Sequence, residues 1–171
     1  MINFDSAEKI TEGAYIFRNS LSDDLCTRLA EQSANAHEDT YYLREEDNIY
    51  LIGEPVLQEC IEHVNKLLEG SEYWSDLYLH WMVPAGYHFY VHRDDANPDY
   101  SGFTKEWGAV IYLTDFEGGE LYYPDQNIEC KPNRRDIVIH RSDLPHGTRT
   151  NKTDGRRTIT CVIYGKKKES D

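Results

Sequence analysis

From about residue 74 onward the chain is cut into short runs of aromatic and β-branched residues, each closed by turn formers. The runs cover residues 77–83, 87–92, 109–113, 120–123, 127–130, 136–140 and 157–164. Pro84-Ala85-Gly86, Gly118-Gly119, Pro124-Asp125, Pro132-Asn133 and Asp154-Gly155 punctuate them. Runs of this length are too short for helices, and punctuation at this spacing favours antiparallel strands. Seven or eight such strands predict a mainly β domain, an antiparallel barrel or jelly roll.

The first 70 residues read differently. Residues 14–17 predict one short strand. Ser22 is placed to cap a helix with Asp23 and Asp24 in its first turn and Leu25, Cys26 and Leu29 on one face. A polar stretch, 33–48, follows as a mobile loop. A second helix is expected over 54–69, with Pro55 in its first turn, an apolar stripe of Leu57, Ile61, Val64, Leu67 and Leu68, and Gly70 as its stop. The expected organisation is one domain over 1–171. Helical support lies at about 20–70, the β core at about 74–164 and a short basic tail at 165–171.

The chain has 171 residues with 31 acidic and 18 basic side chains, a formal charge of -13. Such a surface repels phosphate backbones and anionic lipid, so neither nucleic acid nor membrane is expected as a partner. No apolar stretch approaches the roughly 18 residues of a membrane span, and Met1 to Ser6 lacks the pattern of a signal peptide. A cytoplasmic location is expected. Cys26, Cys60, Cys130 and Cys161 are scattered without a C-x-x-C, so free thiols are expected.

Chemistry concentrates at His92-Arg93-Asp94. In an extended segment alternate side chains share a face, so His92 and Asp94 can close on one metal ion while Arg93 points away. A second H-x-D, His37-Glu38-Asp39, lies in a polar run with nothing to fix a strand. A third ligand is needed, and His146, in Leu144-Pro145-His146-Gly147, is the leading candidate. His140, ending the run Ile137-Val138-Ile139, is the alternative, with a strand-end or wall role as its simpler reading. Two His and one carboxylate leave positions open on the metal, an arrangement typical of non-haem Fe(II) oxygenases. Beyond His146, Arg156 opens the last strand, with Thr158 on the same face. A guanidinium beside a hydroxyl suits a carboxylate. A one-residue slip would present Arg157 in place of Arg156.

These elements in this order give the chain its resemblance to a known family. Gly86, Phe89, His92 and Asp94, then Tyr112-Leu113-Thr114, Glu117-Gly118-Gly119-Glu120, Lys131-Pro132-Asn133, and finally His146 and Arg156, resemble the 2-oxoglutarate- and Fe(II)-dependent dioxygenases. The resemblance is in particular to the prolyl 4-hydroxylase-like branch. The resemblance spans about residues 21–164. It implies a double-stranded β-helix with His92, Asp94 and His146 as Fe(II) ligands and Arg156 on the distal carboxylate of 2-oxoglutarate. It implies further that Tyr112 bonds the same carboxylate and that Thr158 stands beside it.

The reaction implied is hydroxylation by O2 coupled to decarboxylation of 2-oxoglutarate, with ascorbate admissible as an accessory reductant and a peptide or protein proline as substrate. One departure is that a tyrosine common before the Gly turn is replaced around Met82-Val83. The second is Arg157, where an apolar residue is usual. Hydroxylation of another peptidyl residue or a small molecule, a non-redox cupin-type metal protein, and a sensor that has lost turnover remain as other readings. Loops 33–53 and 95–107 would decide the substrate, with Tyr100 and Trp107 flanking the second as candidate substrate contacts.

Overall fold

The computed structural model describes residues 1–35, 55–94 and 103–165. The loop expected at 33–48, the second H-x-D at His37 to Asp39, Tyr100 and the basic run at 166–168 lie wholly or largely outside them.

The element order is β1 (Glu8–Thr11), β2 (Ala14–Phe17), α1 (Asp23–Asn35), α2 (Pro55–Leu67), β3 (Trp74–Val83), β4 (Lys105–Tyr112), β5 (Leu121–Tyr123), β6 (Ile128–Cys130), β7 (Ile137–Arg141), β8 (Gly147–Thr148) and β9 (Arg156–Tyr164). The fold is mostly antiparallel β with two helices. A six-stranded sheet runs β1-β2-β7-β4-β9-β3 and a three-stranded sheet runs β6-β5-β8. The helices are not strictly N-terminal, because β1 and β2 precede them and extend the large sheet beyond β7.

Strand alternation divides the large sheet into two faces. Phe17, Ile111, Ile137, Ile139, Ile159, Cys161 and Ile163 pack with Leu25, Leu29, Leu57, Cys60 and Val64 of the helices in one apolar core. Ile16, Val138 and Tyr112 point the other way, into a second core with Leu121, Tyr123 and Cys130 of the small sheet. The molecule is therefore layered as helices, large sheet and small sheet. The face between the sheets carries the candidate site.

The helix signals hold in outline. Ser22 Oγ accepts from Leu25 N–H at 3.0 Å, as an N-cap should. On α2 the buried stripe is Leu57, Cys60 and Val64, continued by Leu68, while Ile61 and Leu67 are only partly buried. All four cysteines are free and buried. Asn151, first residue of a glycosylation sequon, is fully buried, so its amide is closed to modification.

Three strand expectations are corrected. Residues 87–92 form no regular strand, only extended chain tied to 146–151 through an isolated His92–His146 bridge and neighbouring backbone bonds. Strand β3 begins at Trp74, because a bulge with Leu77 at φ 55 carries the ladder past the break. Strand β4 starts at Lys105, so Trp107 belongs to the sheet and packs with Phe4 and Tyr15 instead of sitting in a loop.

Candidate functional site

The segment carrying His92 and Asp94 is held from behind. His92 and His146 exchange backbone bonds of 2.9 and 3.0 Å, and Asp94 N–H donates to Ser142 O at 2.9 Å. Asn151 Nδ2 donates to the carbonyls of Val83 and Pro84 at 3.0 Å each, fixing the turn that leads in. Gly147 has no Cβ because one would stand 2.9 Å from Phe89 O. The two metal-ligating stretches thus lie side by side without a full ladder between them.

Among the described residues, His92, Asp94 and His146 are the cluster able to hold a metal ion, with their donor atoms within 4.8 Å of one another. His92 Nε2 is 3.4 Å from Asp94 Oδ1, and His146 Nε2 is 3.7 Å from Asp94 Oδ2. Each histidine binds a backbone carbonyl through its other nitrogen: His92 Nδ1 to Tyr90 O at 2.7 Å and His146 Nδ1 to Leu144 O at 2.8 Å. Nδ1 must carry the proton to donate, which leaves the Nε2 lone pairs free to face a metal.

The protonation states of Asp94 and His146 suit a cation, while His92 must give up its extra proton affinity when a metal binds. Burial works against charge on Asp94, but the imidazoles of His140 and His92 beside it outweigh that and hold the carboxyl well below the usual range. Burial, reinforced by His140, pushes His146 down to about 3, so its ring is neutral near neutrality. The bond to Asp94 raises His92.

Further along the same face lies a second feature. In the ladders Tyr112 pairs with Thr158, and Val83 with Arg156, so these four share the inner face. Arg157 points to the opposite face, which removes the alternative register. Arg156 is 2% exposed, yet its Nε and Nη1 atoms have no hydrogen-bond partner, and neither does the hydroxyl of the fully buried Tyr112. The guanidinium carbon lies 4.3 Å from the Phe116 ring centroid and 5.6 Å from that of Tyr112. Gly119, at φ +62, makes the room, since a Cβ there would stand 2.5 Å from Arg156 Nη1. Burying guanidinium N–H groups without acceptors costs free energy. Their place beside an unpartnered hydroxyl suits an anionic, oxygen-rich ligand. Val83 stands opposite Arg156 at this edge.

The structure thus brings together His92, Asp94 and His146, and separately Arg156, Tyr112 and Thr158. It adds a residue whose role the sequence did not disclose. His140 is not in the ligand cluster, but its Nε2 lies 3.2 Å from Asp94 Oδ2 and its Nδ1 3.3 Å from the Tyr123 hydroxyl. Its position in an apolar run hides this contact, and inward alternation from Val138 is the available hint. His88 packs edge-on against Tyr90 with ring centroids 4.7 Å apart, outside the cluster. His63 bonds Ser20, and His80 is buried on the helix side of the sheet.

No family model and no curated protein matches the sequence. Solved structures do match in shape. A viral collagen prolyl hydroxylase from Paramecium Bursaria Chlorella virus-1, in complex with 2OG, is 15% identical, with a TM-score of 0.72 over 90% of this chain and 96% of that one. A prolyl hydroxylase from Trichoplax adhaerens, in complex with a hypoxia inducible factor peptide fragment, is 17% identical, with a TM-score of 0.65 over 90% and 84%. HygX from Streptomyces hygroscopicus, with nickel and 2-oxoglutarate bound, is 13% identical, with a TM-score of 0.65 over 95% and 83%. The chain has the fold of the 2-oxoglutarate–Fe(II) oxygenases and prolyl hydroxylases.

Proposed function

We propose that the protein is a 2-oxoglutarate-dependent Fe(II) hydroxylase acting on a peptidyl proline. The observation that carries this reading is the buried Arg156, whose Nε and Nη1 lack partners, with the unpartnered Tyr112 hydroxyl, on the sheet face that meets the two-histidine, one-carboxylate cluster through His140. A metal site alone serves many chemistries. A waiting carboxylate slot beside it is what a dicarboxylate cosubstrate requires, and a non-redox cupin-type protein would leave Arg156 without a role.

The donor set fits Fe(II): two imidazoles and one carboxylate, with further positions for ligands. His92, Asp94 and His146 hold it, and when bound it supplies O2 activation and oxidative decarboxylation of 2-oxoglutarate. Arg156 clamps the distal carboxylate of the cosubstrate, Tyr112 donates its O–H to the same group, and Thr158 stands beside them. The Tyr112 and Phe116 rings keep water from the guanidinium, which strengthens its pairing with an anion. Ascorbate fits as an accessory reductant.

We infer that the two sheets form a double-stranded β-helix (jelly roll), a single domain across the chain. The proline assignment draws on the prolyl hydroxylases that share the fold, one of them complexed with a peptide. The strong acidic charge disfavours nucleic acid and anionic membranes as partners. No helix among the described residues is long and apolar enough to cross a membrane, and a cytoplasmic location is the reading we favour. The test is turnover: proline-containing peptides incubated with Fe(II), 2-oxoglutarate and O2 should gain one oxygen atom on proline, with succinate formed in step. Oxygen on another residue type would move the assignment within hydroxylases. Succinate formation that never depends on a peptide would remove the peptide reading.

A further inference from the structure

We propose that His140 is a positioning residue for the metal-binding carboxylate, holding one oxygen of Asp94 so that the other is committed to the metal. This rests on the metal-site reading above and goes beyond it, since His140 is no ligand.

Four observations carry it. His140 is 1% exposed, and both of its ring nitrogens have partners: Nε2 lies 3.2 Å from Asp94 Oδ2 and Nδ1 lies 3.3 Å from the Tyr123 hydroxyl. The Asp94 carboxylate can only accept, so Nε2 carries a proton and donates, and in the neutral tautomer Nδ1 accepts from Tyr123 O–H. The relay has one direction, Tyr123 to His140 to Asp94. Tyr123 is itself fully buried on β5 of the small sheet. Both sheets therefore help to aim one carboxylate.

The second observation is the space provided. Gly108 and His140 are a direct cross-strand pair, so both face the site. A Cβ on Gly108 would stand 2.8 Å from Asp94 Oδ2 and 3.5 Å from His140 Nε2. Gly108 has an ordinary φ, so a positive-φ backbone does not explain the glycine; the carboxylate's passage to His140 does. Ala14, paired with His140 on its other side, is likewise small and fully buried.

The third observation is ring packing: His140 lies against His146 with centroids 4.0 Å apart, so the imidazole also backs a ligand ring. The fourth is the division of labour on Asp94. His92 Nε2 lies 3.4 Å from Oδ1, while Oδ2 lies 3.2 Å from His140 Nε2 and 3.7 Å from His146 Nε2, so Oδ2 alone carries a hydrogen bond from outside the ligand set. With one oxygen occupied, Asp94 binds the metal through the other, which keeps a coordination position open.

Co(II) titration of the full chain, read by its visible absorption, tests this with His140→Leu, His140→Gln and Tyr123→Phe. Circular dichroism and melting of each metal-free variant provide the folding control. Loss of such an outer partner lowers metal affinity about 10–100-fold. We expect His140→Leu to weaken Co(II) by that amount and to change its absorption as Asp94 turns to use both oxygens. His140→Gln, whose amide N–H can replace Nε2–H, should bind within a few-fold of the parent with the parent spectrum. Tyr123→Phe should fall between them.

If His140→Leu does not fold, Tyr123→Phe decides: weakened Co(II) binding supports the inference and parent affinity with the parent spectrum overturns it. Wild-type affinity and spectrum in a folded His140→Leu protein would overturn the inference while leaving the metal site intact. Loss of a nitrogen ligand in the Cu(II) electron paramagnetic resonance spectrum of His140→Gln would overturn it by making His140 a ligand. A parent chain that binds no metal would overturn the metal-site reading itself.

Discussion

Arg156 lies with its guanidinium carbon 5.6 Å from the centre of the Tyr112 ring, and neither the Arg156 Nε and Nη1 atoms nor the Tyr112 hydroxyl has a hydrogen-bond partner. Such a pair is costly in the ligand-free protein and favourable once a carboxylate arrives. Arg156→Leu should therefore leave the ligand-free protein as stable as the parent or more so. Its affinity for 2-oxoglutarate should fall on the order of 100-fold, the equivalent of about 3 kcal/mol for a charge-assisted bond. Tyr112→Phe should weaken 2-oxoglutarate about 5- to 10-fold through loss of one neutral donor. Thermal shift with and without 2-oxoglutarate reads both effects, and an Arg156→Leu protein that keeps the full ligand-induced shift would remove the slot.

The two glycines that line the site act on different halves of it. A Cβ on Gly119 meets Arg156 Nη1, and one on Gly108 meets Asp94 Oδ2. Gly119→Ala should raise the KM for 2-oxoglutarate, with an added cost of about 1 kcal/mol in stability from its positive φ. Gly108→Ala should instead weaken the metal and leave the backbone unstrained. Paired titrations with metal and with cosubstrate separate the two; equal effects of both variants on both ligands would contradict the assignment.

Asp136 anchors the start of β7. It is 1% exposed, accepts from Arg18 Nη1 at 2.8 Å, and takes backbone N–H groups of Asn19 and Asn133 at 2.9 and 2.8 Å. Asp136→Ala leaves those part-buried donors, Arg18 among them, without their acceptor. A loss of about 2–3 kcal/mol is expected, less than for a fully buried pair because water reaches the donors. Chemical denaturation measures it, and a change under about 1 kcal/mol would show that water replaces the carboxylate there.

His80 supplies a pH signature away from the metal site. Burial, with Arg157 adding to it, lowers His80 from 6.5 to about 4, and neither ring nitrogen has a hydrogen-bond partner. Between these values the unfolded chain binds a proton that the folded chain refuses, so unfolding is favoured as pH falls. Stability should decline from about pH 6.5 toward pH 4 by up to about 1.4 kcal/mol per unit, and be unaffected by this group above that window. His80→Leu should flatten this part of the profile. A variant profile parallel to the parent's would show that His80 titrates normally.

Much of the site was legible because its parts recur at fixed spacing along one chain. His92, Asp94 and His146 needed only alternation and a turn, and Arg156 needed the register of a single long strand, which β9 keeps. Less legible was whatever depends on pairing across distant segments. The run at residues 87–92 looks like a strand in sequence but meets residues 146–151, of which only the two of β8 are regular, so it gives isolated bonds and no ladder. Strand β8 has two residues and no pattern of its own. His140 looked like a wall residue because its run is apolar, and only the cross-strand glycine at 108 reveals what it faces. The edge strand β1 was missed for a similar reason, since Glu8 and Lys9 are exposed and give no alternating signal.

The central claim is that one inner face holds Fe(II) on His92, Asp94 and His146 and 2-oxoglutarate on Arg156. Anaerobic addition of Fe(II) and then 2-oxoglutarate, followed in the visible range for the metal-to-cosubstrate charge-transfer band, tests it most directly. The account predicts a band in the parent chain that is absent in Asp94→Ala and needs about 100-fold more 2-oxoglutarate in Arg156→Leu. Metal binding with no band at any 2-oxoglutarate concentration would contradict it and turn the site toward non-redox metal chemistry.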